Sequence, residues 1–204
     1  MKLVIVDYGM GNIHSIIGAL HFIGVHNISV TDDHEEITNA DKLILPGAGA
    51  FGKAMEQIKA KKLDLLLHEV VMSKKKPILG ICLGMQLMGM LSYEHGIHEG
   101  LKLMNGVVKK IKKSGNKIPH VGFNQVIIDT DLKLYKDFKI NEPDFYFTHS
   151  LSMHSEKNVN QSICSYGEPF MASFEIENIA GVQFHPELSQ HNGLRLYKNF
   201  IELF

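Results

Sequence analysis

The clearest structural signal in the chain is the segment Ile78-Leu79-Gly80-Ile81-Cys82-Leu83-Gly84-Met85-Gln86. A short apolar run leads into Gly-x-Cys-x-Gly, and a helical pattern begins at once, which predicts a strand, a tight turn and a helix. The two glycines let the chain turn sharply and hold Cys82 at the carboxyl end of the strand. The sequence therefore indicates an α/β fold with a thiol at a strand end.

The rest of the first half alternates between strand and helix patterns. Strands are predicted at 3–6, 27–31, 42–45 and 77–81, and helices at 13–23, 51–59, 63–73 and 83–91, with a further short helix opened by Asp32-Asp33. Such alternation is typical of a parallel sheet with right-handed crossovers. The predicted fold class is therefore α/β, with an open, mixed, largely parallel twisted sheet and helices on both faces.

After residue 105 the pattern changes to short strands separated by turn signals. Strands are predicted at 107–111, 126–128, 145–149, 162–165 and 179–184, and a closing helix at 194–201. We expect some of these C-terminal strands to be antiparallel. Because neither a linker nor an internal repeat divides the sequence, residues 1–204 are predicted to form one domain.

Composition excludes several classes of function. With 45% hydrophobic and 21% charged residues and a formal charge of -1, the chain is typical of a globular protein without a nucleic-acid-binding charge pattern. Its apolar runs are shorter than the ~20 residues of a membrane span. Two cysteines do not make a disulfide framework. We expect a cytoplasmic protein that binds neither nucleic acid nor membrane.

Cys82 has the surroundings of a nucleophile rather than of a structural cysteine. The amino terminus of the following helix would place partial positive charge beside the sulfur and favour the reactive thiolate. The peptide N–H of Leu83 can point at an oxyanion on a substrate carbonyl. A small apolar thiol is often only a core residue. We interpret Cys164 in that way, because it lies in a strand-like run without such neighbours.

A thiol nucleophile usually needs a base, and His185 is the best placed of the twelve histidines. It follows the strand-like segment Gly181-Val182-Gln183-Phe184 and precedes Pro186, which stops regular structure. Glu187 can accept a hydrogen bond from the distal imidazole nitrogen. Since ligands of open α/β sheets gather at the carboxyl ends of strands, we expect His185 and Glu187 near Cys82.

The remaining histidines do not indicate a metal site. His95 and His98, like His149 and His154, lack the His-Glu-x-x-His spacing and have no cysteine pair beside them. We therefore predict neither a metal nor another cofactor.

The cysteine motif and Phe184-His185-Pro186-Glu187 resemble those of the class I glutamine amidotransferase family. Further segments are similar to one group in it, the glutaminase subunits of imidazole glycerol phosphate synthase in histidine biosynthesis. These segments are 7–12, 45–52, 119–124, 146–150 and 194–200. The resemblance covers essentially the whole chain.

The resemblance implies a glutaminase in which Cys82, His185 and Glu187 form a triad. It also implies a set of residues around the substrate glutamine, namely Gly47, Gly49 and Leu83 at the oxyanion hole, Gln86 and Glu94 at the polar ends of glutamine, and the main chain of Ser150 and Leu151 along the pocket. A flip of a peptide near Gly49, induced by the partner, would complete the oxyanion hole. Ammonia would pass to a (β/α)8 cyclase subunit in a heterodimer.

Two positions depart from the family pattern and leave the partner open. Phe123 stands where tryptophan is frequent, and Leu188 stands where a lysine often follows His-Pro-Glu. The resemblance implies that in the histidine enzyme this lysine is a docking residue, which faces acidic groups of the cyclase. A paralogous glutaminase that serves a sugar amidotransferase in surface polysaccharide synthesis is therefore the alternative. Ser152-Met153-His154, where aromatic residues are frequent, points the same way.

Two further interpretations have less support. Thiol enzymes that resemble intracellular proteases and deglycases share the elbow, but they carry histidine after the cysteine, where this chain has Leu83. A non-catalytic partner-binding subunit would have no need of intact Cys82, His185 and Glu187.

Overall fold

Strands and helices alternate along the first half of the chain, as the sequence predicts. The computed structural model describes residues 1–112, 115–139 and 143–204. Within these residues the strands are β1 (Leu3–Val6), β2 (Ile28–Thr31), β3 (Lys42–Leu45), β4 (Ile78–Ile81), β5 (Leu91–Ser92), β6 (His98–Glu99), β7 (Val107–Lys110), β8 (His120–Ile127), β9 (Asp144–His149), β10 (Leu151–His154), β11 (Ser162–Tyr166), β12 (Glu168–Ile176) and β13 (Ile179–Val182). The α-helices are α1 (Ile13–Phe22), α2 (His34–Asn39), α3 (Phe51–Ala60), α4 (Leu63–His68), α5 (Leu83–Leu87) and α6 (Gln190–Leu203).

One large mixed sheet forms the centre of the molecule. Among the described strands, nine pair in the order β2-β1-β3-β4-β13-β12-β11-β8-β9. The pairings from β2 to β13 are parallel, and those from β13 to β9 are antiparallel. The predicted α/β class is confirmed, with the antiparallel strands in the C-terminal half. These strands make up as much of the sheet as the parallel ones.

Helices cover both faces of the parallel part of the sheet. Strand β1 is fully buried, and its successive side chains point to opposite faces. Leu3 belongs to the apolar cluster that contains residues of α1 and α6, whereas Val4 belongs to the cluster that contains residues of α3 and α4. The continuous apolar run of β1 follows from this burial on both faces.

The pairing of β4 with β13 positions the functional site. The two strands are parallel neighbours, with Gly80 opposite Gly181 and Ile81 opposite Val182. The N–H of Cys82 continues the ladder by donating to the Val182 carbonyl at 2.8 Å. Residues that follow β4 and residues that follow β13 therefore emerge at the same edge of the sheet.

Two helices are shorter than the sequence predicts. The helix predicted at 83–91 ends at Leu87, because the chain then runs close beside Gly106. The N–H of Met90 donates to the Gly106 carbonyl at 2.7 Å, and a Cβ on Gly89 would lie 2.8 Å from that oxygen. The stretch predicted at 63–73 is α-helical only as α4, and a π-helical turn follows at Glu69–Ser73.

Several strands were not predicted, and β12 is the longest of them. Its residues 170–175 are all buried, so the strand lacks the alternation that marks a half-exposed strand. Strand β8 begins six residues before the predicted 126–128 segment. A second sheet, in the order β10-β7-β5-β6, lies beside the site, where β10 begins at Leu151.

Across the described ranges, no helix is both long enough and apolar enough to cross a bilayer.

Candidate active site

Cys82 sits on a strained elbow between β4 and α5. Its backbone angles are φ 53° and ψ -109°, a region that residues other than glycine rarely occupy. Such strain costs on the order of 1–3 kcal/mol and persists only where the surroundings impose it. Gly84 allows the turn, because a Cβ there would collide with the carbonyl oxygen of Leu45. The thiol is 6% exposed.

His185 and Glu187 form a buried pair directly after β13. Nδ1 of His185 lies 2.8 Å from Oε1 of Glu187, and the Tyr197 hydroxyl donates to Oε2 at 3.4 Å. The carboxylate can only accept, so Nδ1 carries a proton and Nε2 is the atom available to a reactant. Nε2 is buried and makes no regular hydrogen bond with any described residue.

The electrostatics of His185 depend on both neighbours. Burial alone lowers the pKa of the imidazole, but the sulfur of Cys82 and the carboxylate of Glu187 outweigh it and raise the pKa to about 10. A histidine with this pKa is an imidazolium at neutral pH when it faces a thiolate. Tyr8 also lies near the sulfur; burial first, and then the charge of Cys82, raise its pKa. Its hydroxyl therefore stays neutral and donates to the Pro46 carbonyl at 2.6 Å.

The loop after β3 packs against the amino terminus of α5. A Cβ on Gly47 would lie 2.5 Å from the backbone nitrogen of Gly84, so only glycine allows this close approach. Gly49 has φ +116°, a conformation that glycine adopts without strain. The loop therefore places its peptide groups against Leu83 and Gly84, at the amino terminus of α5.

A pocket of about 240 Å³ opens at this junction. The residues that line it are Ala48, Gly49, Cys82, Leu83, Gln86, Thr148, His149, Ser150, Leu151 and His185. The structure thus brings together most of the site residues that the sequence predicts. Gly47 does not line the pocket but packs against Leu83 and Gly84, and Glu187 contacts the ring of His185.

Glu94 is the predicted residue that the structure places elsewhere. Its carboxylate accepts a hydrogen bond from the N–H of Phe51 at 2.5 Å, at the first turn of α3, and it does not line the pocket. The carboxylate therefore caps a helix in this conformation.

Three residues around the pocket were missed by the sequence analysis. Nε2 of Gln183 lies 3.7 Å from Sγ of Cys82, and the Cys82 thiol faces the Thr148 carbonyl at 3.9 Å. His149 donates from Nδ1 to the Leu151 carbonyl at 2.8 Å. An amide in the apolar run Gly181-Val182-Gln183-Phe184 was the available signal for Gln183, but its target depends on strand register.

His149 contacts a second buried histidine, His120. Nε2 of His149 lies 3.0 Å from Nδ1 of His120, and burial lowers the pKa of each ring to about 4. Because the Leu151 carbonyl accepts a hydrogen bond from Nδ1–H of His149, Nε2 of His149 must accept from Nδ1–H of His120. Both rings are therefore neutral at physiological pH. In the described part of the chain, no group of three or more His, Cys, Asp or Glu side chains is arranged to hold a metal ion.

Comparisons with known proteins identify the family of the chain. The family model for class-I glutamine amidotransferases matches residues 4–203. The imidazole glycerol phosphate synthase subunit HisH 2 of Vibrio vulnificus is 42% identical over 99% of this chain and 94% of its own length. The subunit HisH of Aquifex aeolicus is 42% identical over 98% and 96%, and that of Oceanobacillus iheyensis is 44% identical over 98% of each.

Solved structures share the fold at much lower identity. A crystal structure described as a glutamine amidotransferase has a TM-score of 0.76 at 16% identity, covering 98% of this chain and 97% of that one. A chain of the PurLQS complex of Thermotoga maritima has a TM-score of 0.74 at 18% identity, with the same coverage.

Proposed function

Since the chain belongs to the class I glutamine amidotransferase family, we propose that it hydrolyses glutamine at Cys82 as the glutaminase subunit of an imidazole glycerol phosphate synthase. The proposal rests on the finding that Cys82 and His185 line one pocket. Cys82 lies on the strained elbow, and Glu187 orients the ring of His185. Residues 1–204 would act as one amidotransferase domain. A reducing cytoplasm would suit a free thiol.

In the first step, the thiolate of Cys82 attacks the side-chain amide carbon of glutamine, and the carbonyl electrons move to oxygen. As the tetrahedral intermediate collapses, the C–N bond breaks and His185 gives the Nε2 proton to the leaving nitrogen. Ammonia departs and a glutamyl thioester remains. The raised pKa of His185 supports this step, because the imidazole holds a proton until the leaving group needs it.

The oxyanion is stabilised by main-chain donors. The N–H of Leu83 at the start of α5 and an N–H near Gly49 are the candidates, and each such donor is worth roughly 10²–10³ in rate. The positive φ of Gly49 supports a peptide that can reorient without strain. The elbow and the loop after β3 together would then form the oxyanion hole.

In the second step, water attacks the thioester while the neutral His185 takes its proton. The C–S bond breaks, which restores the thiolate and the imidazolium and releases glutamate. The balance is glutamine plus water to glutamate plus ammonia. Gln86 and the main chain at Ser150 and Leu151 would hold the amino-acid end of glutamine, which their place on the pocket supports. Glu94 would join them only after leaving Phe51.

Ammonia would pass to a cyclase subunit with a (β/α)8 barrel, bound as a heterodimer. The exposed face beside the site supports a partner. Val121, Phe123 and Ile127 of β8 are 55%, 49% and 57% exposed, and Leu188 is 39% exposed. Phe123 and residues 189–192 border a common groove of about 380 Å³. We call Val121, Phe123, Ile127 and Leu188 the apolar docking face.

The sugar amidotransferase alternative is not favoured by the relatives. The relatives from Vibrio vulnificus, Aquifex aeolicus and Oceanobacillus iheyensis are named as imidazole glycerol phosphate synthase subunits and match over nearly the full chain. The test is complementation of a histidine auxotroph that lacks this subunit, with glutamate release measured in the purified complex. Growth with the wild-type gene but not with Cys82→Ser supports the proposal. Glutaminase activity only with a sugar amidotransferase would contradict it.

A further inference from the structure

Gln183 is fully buried just after β13, and its side chain lies between Cys82 and Gln86. One end of its amide is 3.7 Å from Sγ of Cys82, and the other end is 2.9 Å from Nε2 of Gln86. The nitrogen and oxygen of an amide have nearly the same shape. Which end faces the sulfur must therefore follow from the hydrogen-bond partners.

The main-chain carbonyl of Leu151 determines that orientation. A carbonyl oxygen only accepts, so the Gln86 group 3.2 Å from it must be the NH₂ group. The same nitrogen reaches Gln183, which must then present its oxygen to Gln86. Nε2 of Gln183 is left facing the sulfur of Cys82 as a donor.

The sulfur thus lies between two groups that favour different protonation states. The Thr148 carbonyl, 3.9 Å from Sγ, can only accept and so contacts the thiol form. The N–H of Gln183 can only donate and so stabilises the thiolate most strongly. When the proton leaves the sulfur, the contact with Thr148 is lost and the one with Gln183 becomes stronger.

We infer that Gln183 is a positioning residue that holds the Cys82 thiolate in its attacking orientation through the side-chain amide. The inference deepens the proposed function and rests on it. Gln86 lines the pocket and shares its NH₂ group between Gln183 and Leu151. One hydrogen-bonded chain therefore joins the wall of the glutamine pocket to the nucleophile.

Two variants of the full chain test this role. Gln183→Met keeps the volume but removes the donor, and Gln183→Glu keeps the acceptor for Gln86 but places a carboxylate beside the sulfur. The glutamate variant keeps the shape of the side chain and serves if the methionine variant does not fold. Tyr135→Phe is the matched control, because it removes a buried 2.6 Å hydrogen bond to Ser173 away from the pocket.

The measurement is the rate at which iodoacetamide alkylates Cys82 as a function of pH, followed by peptide mass spectrometry. We expect Gln183→Met to react about tenfold more slowly at neutral pH, with the midpoint of the profile about one unit higher. Gln183→Glu should lose more than tenfold, and Tyr135→Phe should match wild type. Unchanged profiles in both Gln183 variants, or an equal loss in Tyr135→Phe, would overturn the inference.

A parallel reaction with a diazoketone analogue of glutamine separates this inference from the proposed function. Wild type that reacts with iodoacetamide at Cys82 but never with the analogue would contradict the glutaminase proposal. Wild type that reacts with both, at rates that Gln183→Met and Gln183→Glu leave unchanged, would contradict only the role of Gln183.

Discussion

Nδ1 of His185 lies 2.8 Å from Oε1 of Glu187, although the two side chains are only 6% and 1% exposed. A buried carboxylate is costly unless it is paired, and here the imidazole and the Tyr197 hydroxyl both donate to it. The pair fixes the ring and leaves Nε2 without another hydrogen-bond partner among the described residues, as the proposed proton transfer requires.

Removing the charge of Glu187 should weaken the reactivity of Cys82. Glu187→Gln keeps the size of the side chain but no longer supports the imidazolium, so the pKa of His185 should fall. We expect the rate of alkylation of Cys82 at neutral pH to drop about 10- to 100-fold. Glu202→Gln removes the carboxylate of an exposed pair with Lys198 and is the control. A Glu187→Gln rate within twofold of wild type would show that the carboxylate is not needed.

Local motifs explain why so much of the site was predictable. A strand that enters Gly-x-Cys-x-Gly and a strand that ends in His-Pro-Glu each describe their own backbone, and a parallel sheet brings the carboxyl ends of neighbouring strands to one edge. The contact of Gln183 with Cys82 needs the register of β4 against β13. Nothing in the order of residues along the chain contains that register.

The glycine at position 84 should tolerate no side chain. Gly84→Ala places a methyl group against the Leu45 carbonyl, so the elbow and the neighbouring strand must separate. We expect a loss of about 3 kcal/mol in the free energy of unfolding, measured in urea. Gly18→Ala is the matched control, because its Cβ on the exposed side of α1 meets nothing within 4 Å. It should gain about 0.5–1 kcal/mol. Equal effects would contradict the packing of the elbow.

Long-range packing also explains the differences in secondary structure. Helix α5 stops early because its next residues approach the backbone of Gly106, which lies on a distant part of the chain. Strand β12 includes Glu175, a charged residue that argues against a buried strand. Its carboxylate accepts from the N–H groups of Lys133 and Leu134. Neither partner is visible in the local pattern.

The buried histidine pair should make the fold sensitive to acid. The pKa of His120 and of His149 is about 4 in the folded chain, below the ordinary value of 6.5. The unfolded chain binds more protons between these values. The contribution of the two histidines to the free energy of unfolding is therefore fully present above about pH 6.5 and is lost as the pH falls toward 4. In His120→Gln the proton uptake on unfolding at pH 5 should be smaller by about one. His14→Gln, on the exposed side of α1, is the control, and an unchanged uptake in His120→Gln would refute the assignment.

A charge on the apolar docking face should act only through the partner. Leu188→Asp should leave the alkylation of Cys82 in the isolated chain unchanged and weaken binding of the cyclase at least about tenfold, because an unpaired carboxylate would be desolvated. Leu65→Asp, at a residue 72% exposed on α4, is the control. Titration calorimetry with the proposed cyclase measures the affinities of the two variants, and iodoacetamide alkylation measures the reactivity of Cys82. Equal affinities for the two variants would place the interface elsewhere.

Reaction of the chain with the diazoketone analogue of glutamine, followed by peptide mass spectrometry, shows whether Cys82 is the nucleophile. Cys164 is an internal reference, since burial raises the pKa of its thiol to about 12. We predict one modified residue, Cys82, with slow labelling in His185→Asn and none in Cys82→Ser. Labelling of Cys82→Ser at the wild-type rate, or a label on Cys164 instead, would show that another residue is the nucleophile.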